Sequence, residues 1–466
     1  MMNSEIFKKI DTLIDGCDEE LIRDTSRFIS IKSERGAPVP GAPFGEGPRK
    51  MLDEVLRLGN DEGFHTADYG VGVVSLAFSD GEPSLGIWLH GDVVTAGEGW
   101  SFPPYEATLY NGCIIGRGAC DNKGQLAAVF NLFKIFKRLG IKLTYNAAIY
   151  VGSSEESGMQ DMKGLPENPD AKGFINVCTP PRLSLVPDGS FPIGYGARGL
   201  ASFYLRSKTK LGFTLTAGEA GTPGLAVAKI NGRELPSELI GCEVLRGECT
   251  EVRAFCPPVH SAHSGGAENV ITRICSALSP FECFNSSDRR ILEELRDISL
   301  DTDGRMLGIN TDSTLMTPTL VYAQSVTTRD FYPEVQLRVR YPIETSFDEI
   351  SEKLSEYGAR HGYDVCGVPS HSPYIRDKDS ATVQALREIA NEITGTDREP
   401  YVNGATYAHY LPNSYIFGME GCCPPEDFSK GRGGAHGVDE CVSVERLKRA
   451  MKIYARALLR LDEIEW

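Results

Sequence analysis

Five side chains that could bind divalent metal ions are spread along the chain: His90, Asp121, Glu156, Asp188 and His436. Imidazole nitrogens and carboxylate oxygens are common ligands of zinc and related metals. A further carboxylate, Glu155, directly precedes Glu156. One member of this acidic pair could therefore bind metal while its neighbour takes a proton from water. The pattern predicts metal-assisted hydrolysis.

Each motif also has a simpler structural explanation when it is taken alone. In an extended backbone, Asp92 points to the same side as His90 and could accept its second ring N–H, which would fix the tautomer. Asp121 could be a helix N-cap, and Asp188 could be an ordinary turn residue. The chain has only eight histidines, however, and His90 and His436 flank the acidic positions. The joint pattern favours a metal site over separate structural roles.

The elements that must position these side chains resemble those of an α/β protein. Short apolar runs at 85–89, 147–151 and 183–186 precede His90, the acidic pair and Asp188, and each predicts a buried strand. Apolar residues at three- and four-residue spacing predict a helix from Asn122 to Leu139. Strands alternating with helices indicate a mostly parallel sheet, whose ligands bind beyond the carboxyl ends of the strands. We therefore expect the three strand ends to converge.

A second pattern begins after Asp188. From Val335 to Tyr341 apolar and polar residues alternate, which predicts a strand of a sheet with one wet face carrying Arg338 and Arg340. A capping box of Ser346 and Glu349 predicts the start of a helix. We interpret 198–372 as an α+β lid domain inserted into a catalytic domain of 1–197 and 373–466. The catalytic domain is expected to end with a helix from Ser443 to about Leu459.

Length, composition and charge narrow the class of protein. The chain has 466 residues, more than one core normally organises, and 41% of them are hydrophobic. Its net charge of −16 repels phosphate backbones and anionic lipids, so neither nucleic acid nor membrane is an expected partner. Because the sequence contains no secretory or membrane-spanning apolar segment, we expect a cytoplasmic protein. The thirteen cysteines form no CxxC pair, which favours reduced thiols, the vicinal Cys422 and Cys423 included.

Several longer strings carry a resemblance to a known family. They are His90-Gly-Asp92-Val-Val, Gly99-Trp100 with Pro103 and Pro104, the glycine-rich string from Gly116 to Gly124, Ser154-Glu155-Glu156-Ser157-Gly158, Pro187-Asp188-Gly189, and Ala435-His436 with Asp439-Glu440. Together they resemble the M20 metallopeptidase family over nearly the whole chain. The length and the strings Arg340-Tyr-Pro342 and Gly404-Ala-Thr-Tyr407 are similar to its cytosolic dipeptidase branch. The resemblance implies a zinc-peptidase-like catalytic domain and an inserted lid.

The resemblance also implies roles for the residues named above. It implies that His90 and Asp188 hold one metal ion, that Glu156 and His436 hold a second, and that Asp121 bridges the two. Glu155 would be the general base on the metal-bridging water, and Asp92, the expected partner of His90, is grouped with the catalytic residues. The expected cofactors are two divalent ions, Zn²⁺ first, with Mn²⁺ or Co²⁺ as alternatives.

Three further residues are candidates for substrate binding. His263 resembles a histidine of the family that steadies the oxyanion, although His260 could substitute for it. Arg340 resembles the arginine that binds the free carboxylate of the substrate. His409 stands where the dipeptidases usually have arginine. Because of this and similar departures, carboxylate recognition could differ from the family pattern.

The expected function is hydrolysis of the amide bond of dipeptides by a monomeric enzyme. An N-acyl amino acid deacylase with the same chemistry is the first alternative. A catalytically silent metal-binding scaffold is the second alternative. Glu155 argues against it, because a side chain that binds no metal needs to be acidic only if it takes part in catalysis.

Overall fold

The computed structural model describes residues 2–165, 172–218, 224–256, 268–419, 422–429 and 431–466. The chain forms two compact units. Unit 1 contains the residues up to Gly196 together with Arg376–Trp466, and unit 2 is Ala197–Ile375. Within the described ranges, no helix combines the length and the apolar character needed to cross a bilayer.

The first part of unit 1 alternates helices and strands. Its elements are α1 (Met2–Asp15), α2 (Asp18–Ile29), α3 (Glu46–Asp61), β1 (His65–Asp68), β2 (Val73–Ala77), β3 (Leu85–His90), β4 (Thr108–Tyr110), β5 (Cys113–Ile115), α4 (Lys123–Arg138), β6 (Ala147–Gly152), α5 (Gln160–Lys163), α6 (Phe174–Val177), β7 (Leu183–Val186) and β8 (Gly194–Ala197).

The chain then forms unit 2 and returns to unit 1. The elements that follow β8 are β9 (Gly199–Ser207), β10 (Thr214–Ala217), β11 (Leu225–Ile230), β12 (Cys242–Arg246), β13 (Thr250–Phe255), α7 (Val270–Leu278), α8 (Ser286–Leu300), β14 (Leu320–Arg329), β15 (Tyr332–Tyr341), α9 (Phe347–His361), β16 (Tyr363–His371) and β17 (Tyr374–Ile375). Back in unit 1 they are α10 (Ala381–Thr394), β18 (Tyr401–Asn403), β19 (Ser414–Ile416), β20 (Cys441–Ser443) and α11 (Val444–Leu461).

The main sheet of unit 1 is mixed and has a parallel centre. Its strands run in the order β1-β2-β6-β3-β7-β19-β8, with β18 beside β8. β3 is parallel to both β6 and β7, and β19 is parallel to β7. The edge strands β1 and β2 are antiparallel. The α/β fold class with parallel strands is confirmed, and the three predicted strands are β3, β6 and β7.

The core of unit 1 explains why these segments fold as they do. Every residue of β3, β6 and β7 is buried, as expected for strands covered on both faces. α4 is buried from Lys123 to Phe136 and packs against α2 and α11. α11 is the predicted last helix, and Ser443 caps it by accepting a hydrogen bond from the backbone N–H of Arg446.

Unit 2 is an antiparallel sheet with helices on one face. Its strands run in the order β12-β13-β11-β10-β14-β15-β9-β16. One face contributes Phe203, Leu205, Leu337 and Val339 to a buried core shared with α7, α8 and α9. The capping box predicted for Ser346 and Glu349 is present at the start of α9. The predicted alternation of β15 is confirmed, and it puts Arg338 and Arg340 on the opposite face.

The expectation that the cysteines are all reduced thiols is wrong. Cys120 and Cys422 form a disulfide that joins positions 302 residues apart, with 5.5 Å between their Cα atoms. Cys423, the vicinal partner of Cys422, is free. The sequence did not reveal this bond because pairs so distant along the chain leave no spacing signature.

Candidate active site

Three parallel strands of unit 1 deliver the predicted residues to one edge of the sheet. His90 is the last residue of β3, the central strand of the three. The acidic pair Glu155 and Glu156 follows the end of β6, and Asp188 follows β7. Because parallel strands end at the same edge, side chains that follow β6 and β7 lie beside those that follow β3.

Two groups of potential metal ligands form at this edge and share one residue. The ligand atoms of His90, Asp121 and Asp188 all lie within 4.8 Å of one another, and so do those of Asp121, Glu156 and His436. His90 Nε2 is 2.9 Å from Asp121 Oδ1, whereas His436 Nε2 is 3.1 Å from Asp121 Oδ2. The two oxygens of Asp121 thus face different histidines, an arrangement that could hold two metal ions with a bridging carboxylate.

The second ring nitrogen of His90 has a different partner from the one expected. His90 Nδ1 lies 3.0 Å from the main-chain oxygen of Asp92, while the nearer Asp92 carboxylate oxygen is 3.6 Å away. That carboxylate instead accepts hydrogen bonds from the backbone N–H groups of Glu155 and Glu156, each at 3.1 Å. Asp92 therefore fixes the acidic pair with its side chain and the tautomer of His90 with its main chain.

The buried carboxylate of Asp161 holds the residues directly before the acidic pair. It accepts hydrogen bonds from the N–H groups of Ser153 at 2.7 Å and Ser154 at 3.0 Å, and from the Tyr407 hydroxyl at 2.6 Å. The site depends on glycine at the end of β6, because a Cβ at Gly152 would overlap both Tyr407 and Asp161. Two aspartates thus bind four successive amides and fix the segment that carries the acidic pair.

Glu440 supports the segment before α4 in the same way. Its carboxylate accepts from the backbone N–H groups of Gly118, Cys120 and Asp121, and from the buried guanidinium of Arg117 at 2.7 Å. Nothing in the sequence analysis gave Glu440 or Asp161 a role. The sequence pointed to Glu440 only through its place in the string that follows His436.

The crowding of negative charge shows that the donor set suits cations. Burial, and next the charge of Asp188, raises the pKa of Glu155 well above its ordinary value. Burial and the charge of Asp121 raise the pKa of Asp188 to about 7. Burial alone would raise the pKa of Asp121 too, but hydrogen bonds from His436 and His90 hold it below its ordinary value. Hydrogen bonds to Asp121 and Glu156 raise the pKa of His436 to about 11. Two divalent ions would relieve this repulsion.

Three candidates for substrate binding remain, and the structure describes two of them. His263 falls in 257–267, outside the described residues. Arg340 is in β15 of unit 2 and is buried. His409 ends a short 3₁₀ helix, Tyr407–His409, in unit 1, and its Nδ1 contacts the backbone of Thr406.

Comparisons with known proteins identify a family of peptidases. A model of peptidase family M20/M25/M40 matches residues 87–460. A putative dipeptidase of Bacillus subtilis, YtjP, is 25% identical over 474 residues, which cover 95% of this chain and 97% of the relative.

Solved structures share the fold. Human carnosine dipeptidase 1 aligns with a TM-score of 0.60 at 16% identity and covers 98% of this chain and 99% of its own. A dinuclear metal-binding M20 peptidase from Bacillus subtilis, YxeP, aligns with a TM-score of 0.51 at 11% identity and covers 97% and 100%. Because the family model spans most of the chain, the protein is a member of peptidase family M20/M25/M40.

Proposed function

We propose that this peptidase hydrolyses the amide bond of dipeptides with the help of two divalent metal ions. The observation that carries the proposal is the pair of ligand groups that share Asp121, with Glu155 directly beside a member of one group. The resemblance to proteins named as putative dipeptidases supports the choice of substrate.

His90 and Asp188 would hold the first ion, Glu156 and His436 would hold the second, and Asp121 would be shared by both. The nitrogen and oxygen donors suit Zn²⁺, and Mn²⁺ or Co²⁺ remain alternatives. When bound, such a pair polarises the scissile carbonyl and lowers the pKa of a water.

Glu155 is the proposed general base. It would take a proton from the attacking water and pass it to the leaving amine. Asp92 and Asp161 would position Glu155, because they accept hydrogen bonds from the backbone amides of the segment that carries it. Hence Glu155 is the catalytic residue and the two aspartates are positioning residues.

Unit 2 would act as a lid that supplies substrate-binding groups. Arg340 would bind the free carboxylate of the substrate with its planar fork, and His263 would steady the oxyanion. His409 is proposed as a further substrate contact from unit 1. An N-acyl amino acid deacylase would use the same chemistry, so a panel of dipeptides against N-acetyl and N-succinyl amino acids decides between the two.

Substitution of the base tests the mechanism. In Glu155→Gln the metal content should persist, because the side chain is no ligand in this scheme, while kcat should fall about 10²–10⁴-fold. The measurements are metal analysis after gel filtration and steady-state hydrolysis of a dipeptide.

The neighbouring Glu156→Gln is the matched control. It should lose metal content as well as activity, since it removes a ligand. If Glu155→Gln hydrolyses dipeptides at the wild-type rate, Glu155 is not the base. If Glu155→Gln loses its metal, the assignment of ligand and base within the pair is wrong.

A further inference from the structure

Three arginines gather on the face of the unit 2 sheet that the helices leave uncovered. Arg338 and Arg340 are two residues apart on β15 and pair with Ser202 and Leu200 of β9. Side chains directly opposite each other in an antiparallel pair point to the same face. Arg198 directly precedes β9, and its charge acts on Arg340.

We call Arg198, Arg338 and Arg340 the arginine cluster. Among the described residues, no Asp or Glu forms an ion pair with any of the three. Arg340 is only 6% exposed, and in the part of the chain that the structure describes its Nε and Nη1 have no hydrogen-bond partner. Arg338 donates to Ser202 Oγ at 3.1 Å, and its Nε has no hydrogen-bond partner within the described ranges.

The cluster is close enough for its members to repel one another. Burial, and next the charges of Arg198 and Arg338, lower the pKa of Arg340 to about 10. At neutral pH all three guanidinium groups remain charged. Buried donors without partners are costly, and a chain of net charge −16 has ample acids that could have paired with them. Free donors in this place therefore indicate a site for an anionic ligand.

The number of positive charges in the cluster indicates how many carboxylates its ligand carries. A single α-carboxylate bound to Arg340 would leave two cations of the cluster without a counter-charge. A second carboxylate nearby would engage them, and the fork of a guanidinium matches the planar geometry of that group.

We propose that the arginine cluster selects substrates whose C-terminal residue carries two carboxylates, namely dipeptides that end in aspartate or glutamate. Arg340 binds the α-carboxylate, and Arg338 and Arg198 bind the side-chain carboxylate. This inference rests on the proposed function, in which Arg340 already receives the free carboxylate of the substrate.

Paired substrates that differ by one charge provide the first test. The wild-type kcat/KM for Ala-Glu should exceed that for the isosteric Ala-Gln about 10-fold or more, since a hydrogen bond to a charged group contributes that much. Arg338→Gln and Arg198→Gln should each lower this ratio several-fold. Arg305→Gln, at an exposed position of unit 2, is the matched control and should keep the wild-type ratio.

Binding to the metal-free protein provides a readout that does not depend on catalysis. Calorimetric titration after chelation should show tighter binding of N-acetyl-glutamate than of N-acetyl-glutamine, again about 10-fold, and Arg338→Gln should remove the difference. Equal affinities in the wild type would overturn the inference, and so would equal kcat/KM for Ala-Glu and Ala-Gln. Failure to hydrolyse any dipeptide would instead contradict the proposed function, while the titration would still decide whether the cluster prefers the dicarboxylate.

Discussion

At the scale of single residues, three acids that are not proposed metal ligands help to set the geometry of the site. Asp92, Asp161 and Glu440 each accept several backbone N–H groups of the segments that carry Glu155, Glu156 and Asp121. Charged acceptors make stronger hydrogen bonds than neutral ones, so they hold a loop more rigidly than a turn alone would. The geometry of the site is therefore set by side chains that do not belong to it.

Asp161 makes a pH-dependent contribution that can be measured. Burial, and next the charge of Asp92, raise its pKa from 3.8 to about 7 in the folded protein. Between these values the folded state binds a proton that the unfolded state has released, so stability falls as the pH rises through this window. Asp161→Asn still accepts from the Ser153 and Ser154 amides but does not titrate. Relative to the wild type, its free energy of unfolding should fall less between pH 5 and 7, by up to about 1.4 kcal/mol per pH unit.

Urea unfolding of both metal-free proteins at several pH values is the measurement. Asp397→Asn, whose side chain is exposed, serves as the control and should follow the wild type. Parallel pH profiles for Asp161→Asn and the wild type would contradict a raised pKa at this position.

Some of these residues could be predicted from the sequence and others could not, and the difference has a physical reason. His90, Glu155 and Asp188 follow apolar runs, so their shared edge could be predicted from strand patterns alone. An acid that binds backbone amides has no such signature, because its partners are main-chain groups of unspecified residue type. For this reason Asp161 was missed, and the side chain of Asp92 was assigned to the wrong partner.

At the scale of elements, the Cys120–Cys422 disulfide joins the segment before α4 to the loop after β19. Cys120 and Asp121 both donate their N–H groups to Glu440, so the bond constrains the segment that carries the shared ligand. Cross-links stabilise mainly by restricting the unfolded chain, and long loops gain most. Cys422→Ser should therefore lower the free energy of unfolding by about 2–5 kcal/mol.

Denaturant unfolding together with mass analysis after thiol alkylation checks this prediction. The alkylated wild type should retain one blocked pair, and addition of a reductant should bring its stability to that of Cys422→Ser. Cys366→Ser removes an exposed free thiol and is the matched control. Thirteen reactive thiols in the oxidised wild type would show that no disulfide forms.

Elements were predicted well where one physical signal dominated. β3, β6 and β7 are wholly buried and have apolar sequences, α9 begins at the predicted cap Ser346, and α11 begins directly after Ser443, where the last helix was expected to start. The antiparallel edge strand β1 was not predicted, since it is only partly buried and carries a weak pattern. The order of the strands depends on pairings between distant segments, which local patterns do not encode.

At the scale of the whole molecule, each of the two units has a hydrophobic core of its own. The proposed ligands all belong to unit 1, whereas the arginine cluster belongs to unit 2. Because a bound ion stabilises only the state that binds it, metal should act on the unfolding of unit 1 and have little direct effect on that of unit 2.

Removal of metal should therefore destabilise the molecule unevenly. Without cations, the buried acids Glu155, Glu156 and Asp188 repel one another, as their raised pKa values indicate. A metal present at 100 times its Kd would add about 2.7 kcal/mol to the stability of unit 1. Scanning calorimetry with and without a chelator should show one transition moving to lower temperature, and hydrogen exchange should assign it to the strands of unit 1. His436→Ala, which lacks a proposed ligand, should respond less to the chelator than the wild type. Equal shifts in both units, or none in the wild type, would contradict a metal centre built within unit 1.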